Sequence, residues 1–161
     1  MYSYLVLRVV AKLLIPFILL FALYVQFHGD FGPGGGFQAG VIFAAAIVLY
    51  TLIYGLDAAN QILPRGLLRF GIALGVLIFG GVGVYDLLVG GNFLDYSVMA
   101  EDPVHGQHLG ILLVELGVGI TVTAVMVNVF FTFAGHLPAE DDSGTDQSRP
   151  DEKSADDGKQ V

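Results

Sequence analysis

Residues 109–133 read LGILLVELGVGITVTAVMVNVFFTF, a long apolar run with one charged residue, Glu115. A helix that crosses a bilayer needs roughly 20 mostly apolar residues, because about 30 Å of hydrocarbon is traversed at about 1.5 Å per residue. This run meets that length, and three others resemble it. Residues 5–27 (LVLRVVAKLLIPFILLFALYVQF) carry Arg8 and Lys12 one turn apart near their start, where long stems return the charges to the interface. Residues 37–56 hold no Lys, Arg or Glu until the run ends, and residues 67–89 have Arg69 near one end and Asp86 near the other. The fold class expected is all-α, an integral membrane bundle of four transmembrane helices within residues 1–135.

Composition agrees. Of 161 residues, 55% are hydrophobic and 14% charged, where a soluble domain is about a quarter charged. The net charge of −8 comes mostly from residues 136–161, which are rich in Asp and Glu and too poor in apolar groups to offset ordering entropy. A disordered acidic tail on the cytoplasmic side is expected there. The chain has no cysteine, which removes disulfides and thiolate chemistry. Residues 5–27 have the basic start of a signal peptide, but the apolar stretch is long and no A-x-A-like cleavage site precedes His28, so a spanning helix is the reading.

The basic residues orient the bundle. Arg8 and Lys12 open the first span, Arg65 and Arg69 lie between the second and third, and Arg149, Lys153 and Lys159 lie in the tail. The loops at 28–36 and 90–107 hold none. All seven therefore fall on one side of a four-span protein, which places both termini in the cytoplasm.

Small residues mark close helix contact in lipid. Gly36, Gly40 and Ala44 recur every four residues in the second span, Gly71 and Gly75 share a face of the third, and Gly117, Thr121 and Ala124 line a stripe of the fourth. Glu115 lies roughly opposite that stripe. A glutamate is costly facing lipid, so the fourth helix should be covered on two faces, and a larger assembly is expected to supply the cover.

Glu115 is the foremost ion-path residue, able to ligate Na⁺ through a hard oxygen or to carry a proton; a structural hydrogen bond to a neighbouring helix is the alternative. Asp86, nearer an interface, reads more readily as a solvated charge at a helix end. His105 and His108 flank the start of the fourth span and would share a face if that helix began early. They read as polar interface residues, with Glu101 and Asp102 the nearest further ligands for a zinc pair. The stretch Pro33-Gly34-Gly35-Gly36-Phe37-Gln38-Ala39-Gly40 matches neither a P-loop nor a dinucleotide fingerprint. Either it is a tight turn with close packing behind it, or a broken helix start whose backbone groups meet an ion. No hydrolase motif and no basic patch for nucleic acid is present, so neither enzyme activity nor a cofactor is expected of this chain.

These residues resemble a known family. The Pro33–Gly40 motif entering an apolar helix is similar to the signature of the B subunit of the multi-subunit Mrp (Mnh) cation/proton antiporter. His105-Gly106-Gln107-His108, followed by Leu112-Leu113-Val114-Glu115-Leu116-Gly117-Val118-Gly119, resembles that family's last membrane helix, and Ile62-Leu63-Pro64 also fits. Asp30 stands where the family often has a histidine, and Ala39 where glycine is common. The resemblance implies a plasma-membrane subunit, assembled with subunits A, C, D, E, F and G, that exchanges Na⁺ or another monovalent cation for H⁺. A pure scaffold and a self-sufficient small proton-coupled exporter are the competing readings. The latter typically holds its glutamate in the first helix, and the first helix here has none.

Overall fold

The computed structural model describes residues 2–29, 32–100 and 102–136. The acidic-tail expectation for 137–161, and the roles weighed for Asp30 and Glu101, lie outside these residues. Helices are α1 (Tyr2–His28), α2 (Gly36–Tyr54), the short α3 (Leu56–Ile62), α4 (Arg65–Val89) and α5 (Pro103–Ala134), with a 3-10 turn at Tyr96–Val98. α1, α2, α4 and α5 are long and apolar enough to cross a membrane.

Local chemistry sets the boundaries. Pro16 sits inside α1, which lipid-embedded helices tolerate. α2 stops at Gly55, whose φ of 92° is a conformation glycine adopts cheaply, and its N–H still donates to Thr51 O at 2.9 Å. The chain then makes two turns as α3, and Pro64, extended at φ −63° and ψ 147°, opens α4. α5 begins at Pro103, six residues before its apolar run. Asp102 caps it by accepting from Val104 N at 3.1 Å, and proline occupies the first turn where its missing N–H costs nothing. At 32 residues α5 is about 48 Å long, more than hydrocarbon alone requires.

In space the helices run α1, α2, α5, α4: α5 packs extensively on α4 and on α2, α2 on α1, and α1 barely reaches α5. The small residues make these seams. A side chain at Gly75 would strike Thr121 and lie 2.5 Å from Gly117 O, and one at Gly40 would lie 2.8 Å from Gly119 O. Gly71 packs toward Ala124, while Gly80 faces open space. Thr123 Oγ1 donates to Gly119 O at 2.7 Å within its own helix and lies 3.1 Å from Gly40 O across the seam. At the end where α2, α3 and α4 meet, Ala44, Ala59, Leu68, Val127 and Phe131 form the apolar core.

This order corrects one expectation. Both faces of α5 are covered from within the chain, the small stripe by α4 and the Glu115 face by α2 and the end of α1. The two-sided cover of α5 therefore gives no argument for an outside partner.

Candidate functional site

Glu115 lies against the loop that joins α1 to α2. A Cβ placed on Gly29 would come within 2.5 Å of both carboxylate oxygens, and one on Gly35 within 2.8 Å of Oε1. The backbone of Glu115 itself presses on Gly36, where a Cβ would collide with its carbonyl oxygen. The glycine run is therefore the cradle of this carboxylate. Gly35 is held at φ 115°, its N–H donating to Val25 O at 3.2 Å, and its carbonyl accepts the first helical bond of α2 from Ala39 N at 3.0 Å. Gly35 has no side chain to cap the helix. The first N–H groups of α2 have no partners within the helix, and the positive end of its dipole favours a nearby anion. Glu115 is the anion that α5 delivers to that end.

Gln38 Oε1 lies near Gly35, and Phe37 and Pro33 are exposed; Gly34 passes close to Val25 O. His28, at the last turn of α1, stacks on Tyr24 with ring centroids 5.1 Å apart. Along α5 the same face continues through Gly119 to Thr123, at four-residue spacing. A Cβ on Gly119 would lie 2.6 Å from Gln26 Oε1, so Gln26 of α1 fills the place a side chain would take. Gln26 is 4% exposed, and its Nε2 has no hydrogen-bond partner. It borders a groove of about 440 Å³ between α1 and α4, floored by Gly119, Ile120 and Thr123. Sequence reasoning passed over Gln26, although an amide inside an apolar run is the signal that marks it.

Asp86 is not a solvated helix end. It is fully buried, and neither carboxylate oxygen has a hydrogen-bond partner. The cause is residues 90–100, which fold back across the ends of α4 and α5. Phe93 sits on Gly83, and the ring and carbonyl of Tyr96 sit on Gly110 and Gly106. Gly90, at φ 97°, turns the chain, with Gly91 N donating to Asp86 O at 3.0 Å. In the loop, Ser97 Oγ donates to Asp95 Oδ1 and holds that carboxyl below its usual range. Burial raises the Tyr96 phenol. His105 and His108 share an exposed face of the first turns of α5, away from both carboxylates' packing seams. Among the described residues no group of three His, Cys, Asp or Glu converges as a metal site. Glu115 and Asp86 are not brought together. The first belongs to the α2 seam and the second to the α4 end.

The family model for a domain related to the MnhB subunit of Na⁺/H⁺ antiporters matches residues 6–128. A protein of Staphylococcus aureus strain Newman named as antiporter subunit mnhB2 is 35% identical over 133 residues, covering 81% of this chain and 94% of that protein. Its counterparts in strains COL and NCTC 8325 match equally. The matched region contains the glycine cradle, Asp86 and Glu115, and so the chain belongs to the MnhB family of Na⁺/H⁺ antiporter subunits.

Proposed function

We propose that this chain is one membrane-embedded subunit of a multi-subunit Na⁺/H⁺ antiporter in the plasma membrane, assembled with subunits A, C, D, E, F and G, and that it takes part in ion exchange through Glu115. The observation that carries the reading is the carboxylate of Glu115 set into Gly29 and Gly35 at the first turn of α2. Such a carboxylate couples two helices to its own charge. Ionised, it is held by the helix dipole; on taking a proton, or on sharing its charge with Na⁺, that hold weakens and the seam can shift. Arg8 and Lys12 at the start of α1 and Arg65 and Arg69 at the start of α4 lie at the same end of the bundle, which supports cytoplasmic termini.

The test is Glu115→Gln in the assembled complex, with Na⁺-driven proton movement followed in vesicles. Exchange is expected to be abolished or severely slowed while the complex still co-purifies. Unchanged rate and unchanged apparent Na⁺ affinity would refute a role for Glu115 in exchange.

A scaffold role has its own support in the groove beside Gln26. An amide donor that is buried yet unpartnered at the edge of an apolar groove suits an acceptor on a neighbouring membrane helix. If Gln26→Leu lost companion subunits while Glu115→Gln transported normally, the scaffold reading would replace the first.

A further inference from the structure

We propose that Asp86 is a second proton-binding site of this chain, separate from Glu115 and closed by residues 90–100 acting as its lid. The burial of Asp86 owes nothing to a partner. Asp86 is fully buried within the single chain, whereas Glu115 is half-buried. Both oxygens of Asp86 lack a hydrogen-bond donor. A bare carboxylate in such a place is uncompensated, so the group must hold either a proton or a cation.

Of the two occupants, the proton asks least of the surroundings. A hard cation asks for several oxygen ligands, and no third His, Cys, Asp or Glu converges here among the described residues. A proton asks for one. The titratable groups facing Asp86 from the loop are Asp95 and Tyr96. Asp95 is a carboxylate and Tyr96 a phenol, so neither offers a cation. On α5, His105 and His108 are exposed, and the arginines of α4 lie at its opposite end. No cation among the described residues stands by to stabilise an ionised Asp86.

The lid is held by shape. Phe93 occupies the space over Gly83 and Tyr96 the space over Gly110, so two aromatic side chains pin the loop to α4 and α5 at positions where glycine leaves room. Proton exchange with water therefore requires those rings to lift. The loop stays attached by its own bonds, Ser97 to Asp95 and Gly91 N to Asp86 O, so the motion needed is a local opening rather than unfolding. Taking Gly117 as level with Gly75 and Ile78, Asp86 lies about 10 Å further toward this loop end than Glu115. The two carboxyl groups are thus staggered along the membrane normal.

The proposal rests on membership in a proton-coupled antiporter for its purpose, but not for its first test. In the assembled wild-type complex, infrared spectroscopy should show a protonated-carboxyl band at neutral pH that Asp86→Asn removes. In D₂O that band should shift slowly, and Tyr96→Ala should speed the shift at least tenfold. In vesicles with the pH of each side varied separately, Asp86→Asn should move the pH dependence of exchange on the loop side. An absent band at neutral pH overturns proton occupancy, and an equally fast isotope shift in wild type and Tyr96→Ala overturns the lid. A pH profile identical to wild type overturns the transport role. None of these outcomes depends on Glu115, whose own variant tests the separate reading above. Asp86→Glu, which keeps the carboxyl, serves where the asparagine variant fails to assemble, and should retain the band.

Discussion

Replacing Gly36 by alanine adds one methyl group at the seam where α2 meets α5. Its Cβ would lie 2.8 Å from the carbonyl carbon of Glu115 and 3.0 Å from its Cα, and nearer still to its oxygen. Carbon contacts are comfortable at about 3.5–4.0 Å, so the two backbones must part by up to about 1 Å. The atoms in the way are backbone, which cannot rotate aside. A gap of that size forfeits a quarter to a half of each contact along the seam, and overpacking of this kind costs about 1–3 kcal/mol. That is about a 5- to 150-fold loss in the folding equilibrium. Alanine also improves helix propensity by up to about 1 kcal/mol, so a control is required. Gly80→Ala provides it, because nothing lies within 4 Å of a Cβ there. Both variants gain propensity; only Gly36→Ala pushes helices apart. The assay is titration of the chain in micelles with a denaturing detergent, read by pulse proteolysis. Gly36→Ala should unfold earlier than wild type and Gly80→Ala at the same point or later. If the two variants shift together, the cradle is not close-packed as described and the reasoning fails.

Tyr96 ties the lid to pH. Burial raises its phenol above the ordinary 10, so the neutral form is favoured in the folded loop. Its contribution is fully present below pH 10 and is lost as pH rises through the raised value. Amide hydrogen exchange in residues 90–100 should therefore accelerate above pH 10 beyond its intrinsic base dependence, and Tyr96→Phe should remove that extra step; a step that survives in Tyr96→Phe assigns it elsewhere. At the start of α5, Asp102→Ala removes the acceptor for Val104 N and should cost about 1 kcal/mol, with about fivefold faster exchange at that amide, while Asp102→Asn should restore protection. Equal protection in all three would show that Pro103 alone sets the helix start.

The four spans were legible because lipid imposes length and apolarity on any crossing helix, and the stripes at Gly75, Gly117 and Thr121 because close backbone approach tolerates little else. The start of α5 was less so. Hydropathy reports the depth of lipid, not the length of the helix, and the six polar-flanked residues from Pro103 extend beyond the first measure while obeying the second. The Asp102-Pro103 pair carried the capping signal. Asp86 was misread as solvated because its burial comes from an aperiodic loop whose path depends on where Phe93 and Tyr96 find glycines to sit on. Nothing in local pattern states that Gly83 will meet Phe93. The neighbour order α1, α2, α5, α4 was equally hidden. It places α5 in the interior, and with it the glutamate that had looked too costly for a small bundle to cover.

That order also relocates Glu115. Counted along its apolar run, the residue sits seven places in, which suggests a charge well inside hydrocarbon. Measured against its neighbour it lies level with the first turn of α2, and α2, at 19 residues, is about 28 Å long. A helix of that length only just matches the roughly 30 Å of hydrocarbon, so its first turn stands at the membrane edge. Glu115 is therefore at the rim rather than the middle, and α5 rises about 18 Å beyond it to Pro103. The cap made by that rise, the end of α4 and the folded-back loop is where Asp86 is sealed. A carboxylate at the rim exchanges ions with water more readily than one at mid-membrane, and the interior beneath it offers Gln26 and Thr123 on the same face and few other polar groups. If ions cross the membrane near this chain, the remaining depth must be lined from the α1–α4 groove by another subunit. The outside partner that α5 did not need for its own cover would then be needed for the path.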